Sequence, residues 1–276
     1  MSQNHLDSTF FEHKNVLITG ATGYIGSSIT TALSSINCNL FLQSRNITVP
    51  KALTKTKAVI HQINADITDR DFWTSHLKNV DILFHLAAQT SSQMANSEPL
   101  HDLEINVLPI LRLIEACTKR NYSPDIIFSG AVTQVGYTNG GKVNESYRDL
   151  PVTMYDIHKL ASEKYLQYFS NQLNKRSITL RLCNIFGPGP ASSKSDRGII
   201  NQMIVKALKG EPLTIFGDGS YVRDYLYITD VVEAFLNAAI SIDKTKGNYY
   251  VLGSGIGTSL SQIAKLITKE VEKKSG

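Results

Sequence analysis

Cysteine, tryptophan and charge are all scarce in this chain of 276 residues, which has three cysteines, one tryptophan and 19% Asp, Glu, Lys and Arg. The cysteines, Cys38, Cys117 and Cys183, are odd in number, far apart and form no CxxC pair. That excludes a disulfide framework or a cysteine-based zinc site and suits reduced thiols in a cytoplasm. The net charge is only +4, with no basic run, so neither a nucleic-acid nor a membrane surface is expected and a small molecule is the default partner. No stretch approaches the roughly 20 apolar residues that span a bilayer. The first residues, MSQNHLDSTFFEHKN, lack a cationic segment followed by an apolar one, which disfavours secretion. The seven histidines include no HExxH or similar spacing, so no metal is expected. What is abundant is apolar sequence, 42% of the chain, enough for one large α/β unit or a main domain with a smaller appendage.

That apolar sequence is divided into short runs and longer periodic stretches. NVLITG, NLFLQS, AVIHQI, VDILFHLA, DIIFSG and SITLRLC read as buried strands, and residues 27–36, 68–78, 98–119 and 153–173 carry helical spacing. Alternation of the two predicts right-handed crossovers and a doubly wound parallel sheet, the Rossmann arrangement. Beyond Cys183 the rhythm changes. NIFGPGPASSKSDRG reads as a long loop, followed by a helix near 199–209, a strand LTIF, a turn GDGS, a strand RDYLYI, a helix opened by Thr229 and Asp230, a strand NYYVLG and a last helix near 259–273. The expected division is a dinucleotide-binding domain over 1–183, with returns from about 223–253, and a smaller substrate lobe from 184–222 and 254–276. Phe10 and Phe11 are expected to pin the polar leader to the fold.

The first strand runs into Gly20-Ala21-Thr22-Gly23-Tyr24-Ile25-Gly26 and then a helix. Glycines at a strand-to-helix turn allow a tight bend and close backbone approach to a pyrophosphate, whose charge faces the helix amides, so this segment predicts a dinucleotide site. At the end of the second strand stand Ser44 and Arg45, with no acid to bond both ribose hydroxyls. The cofactor is therefore NAD or NADP, with Arg45 favouring the 2′-phosphate of NADP over its alternative as a solvated strand-end residue. Downstream, Tyr155 and Lys159 form YxxxK in helix-forming sequence. Four residues apart they share a helix face, where a cation favours the phenolate of a tyrosine whose ordinary pKa is about 10. His158, between them, reads as a solvated or packed residue.

Taken in order, GATGYIG, ADITD (65–69), FHLAAQT (84–90), EIN (104–106), YDIHK, LRLCNIFGPG (180–189) and FGDGSYVRDYLYITDV (216–231) resemble the NAD-dependent epimerase/dehydratase family of the extended short-chain dehydrogenase/reductase superfamily, whose members act on nucleotide sugars. The likeness covers about residues 14–273. It implies that Gly20, Gly23, Tyr24, Ile25, Gly26, Ser44 and Arg45 hold the dinucleotide, with Asp66 and Ile67 flanking the adenine. Leu86, Ala87, Ala88, Gln89, Thr90 and Asn106 should line the cofactor, and Cys183 and Asn184 should sit near nicotinamide and substrate. Asn201, Thr214, Phe216 and Arg223 are implied on the sugar-nucleotide side, where a guanidinium fork suits a pyrophosphate. Arg223 paired at the surface with Asp218 or Asp224 is the alternative. Tyr155 is the implied acid/base and Lys159 its partner, contacting the cofactor ribose. The resemblance also implies a homodimer through the helices near 98–119 and 153–173.

The chain departs from the family at its catalytic hydroxyl. Ser or Thr usually stands five residues before the glycine after the fifth strand, and SGAVTQVG puts Ala131 there, with Gly136 as that glycine. If the segment is extended, Ser129 and Thr133 share the face of position 131, Thr133 being the preferred substitute and Ser129 the second. Ser129 satisfying backbone groups at the strand end is the other reading. Ala131-Val132-Thr133 offers none of the carboxylates that the family's dehydratases add at this place, and no Cys–His pair for 3,5-epimerisation can be placed. The expected chemistry is epimerisation of a nucleotide-diphosphate sugar by transient oxidation at C4. An NADPH-dependent 4-keto-sugar reductase and a dinucleotide-sensing regulator without turnover are the alternatives.

Overall fold

A computed structural model describes residues 7–46, 56–138, 140–190, 198–215 and 217–275. In chain order the elements are β1 Asn15–Thr19, α1 Tyr24–Leu33, β2 Asn39–Ser44, β3 Val59–Asn64, α2 Phe72–His76, β4 Ile82–His85, α3 Ser92–Ser97, α4 Pro99–Asn106, α5 Leu108–Arg120 and β5 Asp125–Ala131. After these come α6 Met154–Leu173, β6 Ser177–Leu182, β7 Asn184–Phe186, α7 Ile199–Leu208, β8 Val222–Tyr227, α8 Ile228–Ile240, α9 Ile242–Thr245, β9 Tyr249–Leu252, β10 Gly257–Ser259 and α10 Leu260–Ser275.

Seven strands form one sheet in the order β3-β2-β1-β4-β5-β6-β9, with every neighbouring pair parallel. The chain builds outward from β1 to β3 and then crosses back to place β4 on the other side of β1. That reversal opens a crevice at the carboxyl ends of β1 and β4, the usual ligand position in a doubly wound sheet. Both faces are covered, because successive strand residues point to opposite sides. Val16 and Ile18 join the core shared with Ile29 and Leu33 of α1 and Val231 and Phe235 of α8, whereas Leu17 joins Trp73 of α2, Ile110 and Leu113 of α5 and Leu166 and Phe169 of α6. Phe11 is buried in the first of these cores, with Phe10 packed against it, as expected for these two aromatics.

A second sheet of three strands, β10-β8-β7, carries β8 antiparallel to β10 and parallel to β7. Ile200 and Met203 of α7 and Ala264 and Ile267 of α10 make its own small core. Here the sequence reading needs correction. The strand expected near residue 223 belongs to this small sheet, while α8 packs on the large sheet and β9 joins it. Residues 213–215 of LTIF are not a strand, while β7 and β10, three residues each, are too short for periodicity to reveal. The helix expected over 98–119 is two helices that break at Val107, because Pro109 has no N–H to bond the carbonyl four residues back. The helix expected over 68–78 is confined to Phe72–His76. Among the described residues no helix is long and apolar enough to cross a membrane.

Candidate active site

The turn after β1 is built for close approach. Gly20 has φ +67°, and a Cβ there would lie 2.9 Å from the Cα of Ala87, in the segment leaving β4. A Cβ on Gly26 would meet the Gly20 carbonyl oxygen at 2.2 Å, so the helix can start against the loop only with glycine at this place. Gly23 caps α1, which has no acidic residue in its first turn, leaving the first amides facing the crevice as an anion site. The buried Asn106 Oδ1, without a hydrogen bond among the described residues, is an acceptor that a ligand donor would satisfy. These features fit a dinucleotide. Gly26→Ala should lower dinucleotide affinity at least about tenfold, roughly 1.4 kcal/mol. Calorimetric titration checks this, and parental affinity would contradict it.

Two residues absent from the sequence reading hold this cradle in place. Buried Gln43 accepts from the Gly20 amide through Oε1 (3.0 Å) and donates to the Ala65 carbonyl through Nε2 (2.7 Å), tying the loop to the end of β3. Buried Thr19 accepts from the amides of Leu86 (3.1 Å) and Ala87 (3.2 Å) on Oγ1. With both lone pairs so used, its proton goes to His85 Nδ1 at 2.8 Å. Burial, and second the charge of Lys159, lowers the His85 pKa to about 3, so this histidine is neutral. A polar residue inside a strand gives little periodic signal, which is why neither stands out in the sequence.

Ser44 and Arg45 follow as expected at the end of β2, with Ser44 Oγ 2.8 Å from Thr22 Oγ1 of the glycine loop and Arg45 exposed. Asp66 accepts from the amide (2.9 Å) and hydroxyl (2.8 Å) of Thr68, and Ile67 is buried beside α2. Leu86, Ala87 and Ala88 line the segment leaving β4 and are half-buried, and Gln89 is buried. Tyr24 and Ile25 begin α1, half-buried.

Tyr155 and Lys159 lie one turn apart on α6, whose N-cap, Thr153, accepts from the Asp156 amide. Lys159 is only 2% exposed, and its Nζ stands 4.1 Å from the ring centre of Phe128 in β5. Burial lowers its pKa to about 7, against the opposing attraction of Asp102 and Glu163. Glu163, a further turn along, is buried and held by Arg181 of β6 through Nε to Oε2 (2.8 Å) and Nη2 to Oε1 (2.6 Å). Arg181 also donates to Asp149 at 2.6 Å.

The segment after β5 is not extended. Residues 132–135 form a 3-10 turn, which removes the premise that Ser129 and Thr133 share a face with Ala131. Thr133 is exposed and donates its hydroxyl to the buried Asp156 carboxylate at 2.5 Å, while Thr153 donates to the other oxygen at 2.7 Å. Thr133 thereby fastens the turn to the start of α6. Ser129, half-buried within β5, has no hydrogen bond from its hydroxyl among the described residues. His158 is packed, not solvated: it is buried with Nδ1 2.6 Å from Asp102 Oδ2.

On the side of the small sheet, Cys183 is half-buried, and burial together with Asp224 pushes its thiol up to about 12. It is a thiol at neutral pH. Asn184 opens β7, exposed, and Arg223 is exposed on β8 with its guanidinium 4.3 Å from the Tyr221 ring centre. No ion pair joins Arg223 to Asp218 or Asp224, whose oxygens accept from Ser220 and from Ser254 and Gly255. Asn201 of α7 spends its side chain on Gly187, donating to the carbonyl at 2.9 Å and accepting from the amide at 3.2 Å, and on Tyr24 Oη at 3.2 Å. Thr214 is exposed, and Phe216 lies outside the described residues.

The chain and its fold are similar to those of known proteins. The UDP-glucose 4-epimerase of Mycolicibacterium smegmatis is 28% identical over 262 residues, covering 92% of this chain and 82% of that one. A solved structure of UDP-N-acetylglucosamine 4-epimerase from Methanobrevibacter ruminantium, in complex with UDP-N-acetylmuramic acid, is 28% identical with a TM-score of 0.82, over 95% of this chain and 83% of the other. MoeE5, solved in complex with UDP-glucose and NAD, is 26% identical with a TM-score of 0.80, over 93% and 81%. The family model described as NAD dependent epimerase/dehydratase matches residues 16–253, the stretch that carries the glycine cradle, the Tyr155–Lys159 pair and both sheets up to β9, and the chain belongs to that family.

Proposed function

We propose that this protein is an NAD(P)-dependent nucleotide-sugar epimerase acting at C4 of a nucleotide-diphosphate sugar. The observation that carries the reading is the placement of Tyr155 and Lys159 on one turn of α6, with Lys159 buried against Phe128 where β5 approaches its carboxyl end. When bound, a nicotinamide dinucleotide supplies a hydride acceptor and donor for the C4 carbon. Tyr155 takes the C4 hydroxyl proton during oxidation and returns it during reduction. Lys159 holds the ribose and supplies the positive charge that favours the phenolate. A hydroxyl that polarises the C4 oxygen has to donate a proton. Thr133 gives its proton to Asp156, which leaves Ser129 for that part.

Arg45, exposed beside Ser44 with no acid at the strand end, supports acceptance of NADP as well as NAD. Leu111 of α5 and Tyr165 and Tyr168 of α6, all exposed, support pairing of two copies through these helices. The free thiols Cys38, Cys117 and Cys183 suit a cytoplasmic setting.

Arg223, free of acidic partners and carried by β8, whose Tyr225 pairs with Asn184 of β7, is assigned to the substrate pyrophosphate. Held by its nucleotide end, the sugar is free to present either face of C4. Arg223→Ala should weaken UDP-glucose or UDP-N-acetylglucosamine binding by about 1.5–3 kcal/mol, the scale of a charge-assisted hydrogen bond, and leave dinucleotide affinity in place. Calorimetry with each ligand tests this. Unchanged sugar-nucleotide affinity would make Arg223 a surface residue.

A further inference from the structure

Directly beside Lys159 in sequence lies a buried polar cluster whose Asp102 and His158 the reaction as described does not use. Asp102 of α4 is 1% exposed, and its carboxylate receives three donors. Gln89 Nε2 reaches Oδ1 at 2.7 Å, Asn106 Nδ2 reaches Oδ1 at 2.9 Å, and His158 Nδ1 stands 2.6 Å from Oδ2. Asn106 also donates to the Gln89 carbonyl at 2.9 Å and accepts from Ser162 of α6 through its own carbonyl at 2.6 Å. One carboxylate thus joins the segment after β4, the end of α4 and the residue of α6 that precedes Lys159. An isolated buried carboxylate would be costly, and the three donors offset that cost.

We propose that Asp102 and His158 are positioning residues of this enzyme: the pair fixes the α6 turn that carries Lys159 against the Gln89 segment and keeps a negative charge behind the lysine, so that Lys159 meets the dinucleotide as an ammonium. The inference rests on the epimerase reading for its turnover arm and on dinucleotide binding alone for the other. Titratable neighbours are few. From α6 come Tyr155 on the same face as Lys159, Asp156 held by Thr133 and Thr153, and Glu163, the last neutralised by Arg181 of β6, and from β4 comes His85, uncharged. α3 has no titratable side chain, and β5 presents the Phe128 ring. Asp102 and Glu163 are the two carboxylates whose charge supports the Lys159 ammonium, and Asp102 is the one with no arginine on it; it acts against the burial that pulls the ammonium towards a pKa of about 7.

Removing that charge should let Lys159 lose its proton at lower pH. In Asp102→Asn the alkaline limb of NAD affinity, followed by calorimetry across pH 6–9, should move down by at least about half a unit, and the alkaline limb of turnover should follow. A general loss of stability lowers affinity without moving the limb. His158→Asn and His158→Leu form the second pair, since asparagine can place a neutral donor near the former Nδ1 and leucine cannot. His158→Asn should keep turnover within about threefold of the parent, and His158→Leu should lose about tenfold in kcat with little change in KM for the sugar nucleotide. An unmoved limb in a folded Asp102→Asn protein overturns the proposal. If that variant does not fold, equal kcat in the two His158 variants overturns it instead. A parent that binds NAD but converts no nucleotide sugar refutes the epimerase reading, and the shift in the NAD-binding limb still decides the role of the pair.

Discussion

Tyr155→Phe should leave a folded, dinucleotide-binding protein whose turnover of a nucleotide sugar falls by at least about 10²-fold, the usual scale for loss of a general acid/base. The phenol sits at the first turn of α6, half-buried, so removing its oxygen leaves no large cavity. Lys159, four residues on, keeps its place against Phe128, and NAD affinity should stay within a few-fold of the parent. Steady-state turnover with UDP-glucose and calorimetry with NAD separate the two effects. Near-parental turnover in the folded variant would remove tyrosine from the chemistry.

The largest expected loss of stability lies one turn beyond the lysine. Arg181 is 1% exposed, with its guanidinium on Glu163 and Asp149 and stacked 3.7 Å from the Tyr249 ring centre. Burial works against its charge, but the hydrogen bonds to Glu163 and Asp149 more than offset that and raise its pKa. Arg181→Leu leaves the buried Glu163 carboxylate with only Gln134 Nε2 (3.3 Å) and the half-exposed Lys164 ammonium (3.7 Å) in place of a bidentate guanidinium, a change that costs about 3–5 kcal/mol. At roughly 2–4 °C per kcal/mol for a chain of this size, Tm should fall by about 6–20 °C. Arg181→Leu combined with Glu163→Leu should recover much of the loss, since the poorly paired buried charge is gone. A Tm drop below about 3 °C in the single variant would contradict this account. The pairing also links catalysis to the fold, because Glu163 shares a helix face with Tyr155 and Lys159, and β6 carries Arg181 next to β5.

What was legible in the sequence follows from what sequence patterns encode. Gly20, Gly23 and Gly26 mark the cradle because only a residue without a Cβ fits where Gly20 approaches Ala87 and Gly26 approaches Gly20. Tyr155 and Lys159 are legible because helical spacing converts directly into a shared face. Strands β1, β2, β4, β5 and β6, each built on a short run of mostly apolar residues, stand out for the same local reason. Residues whose role depends on a distant partner do not. Gln43 matters through Gly20 and Ala65, and Thr19 through Leu86 and Ala87, pairings that arise only when β1, β2 and β4 come together. His158 gives no sign of Asp102, 56 residues earlier in the chain. Thr133 illustrates a local misreading: the alternation argument holds to Ala131, where β5 ends, and fails in the 3-10 turn that turns the threonine towards Asp156.

The central claim, reversible oxidation at C4 with the hydrogen returned to the same carbon, is tested most directly by incubating the purified protein and NAD with UDP-glucose carrying deuterium at C4 and following the sugar by NMR. The account predicts conversion to the C4 epimer with the deuterium retained on C4. The appearance of epimer with the label washed out into water, or of no epimer while NAD is bound, would contradict it.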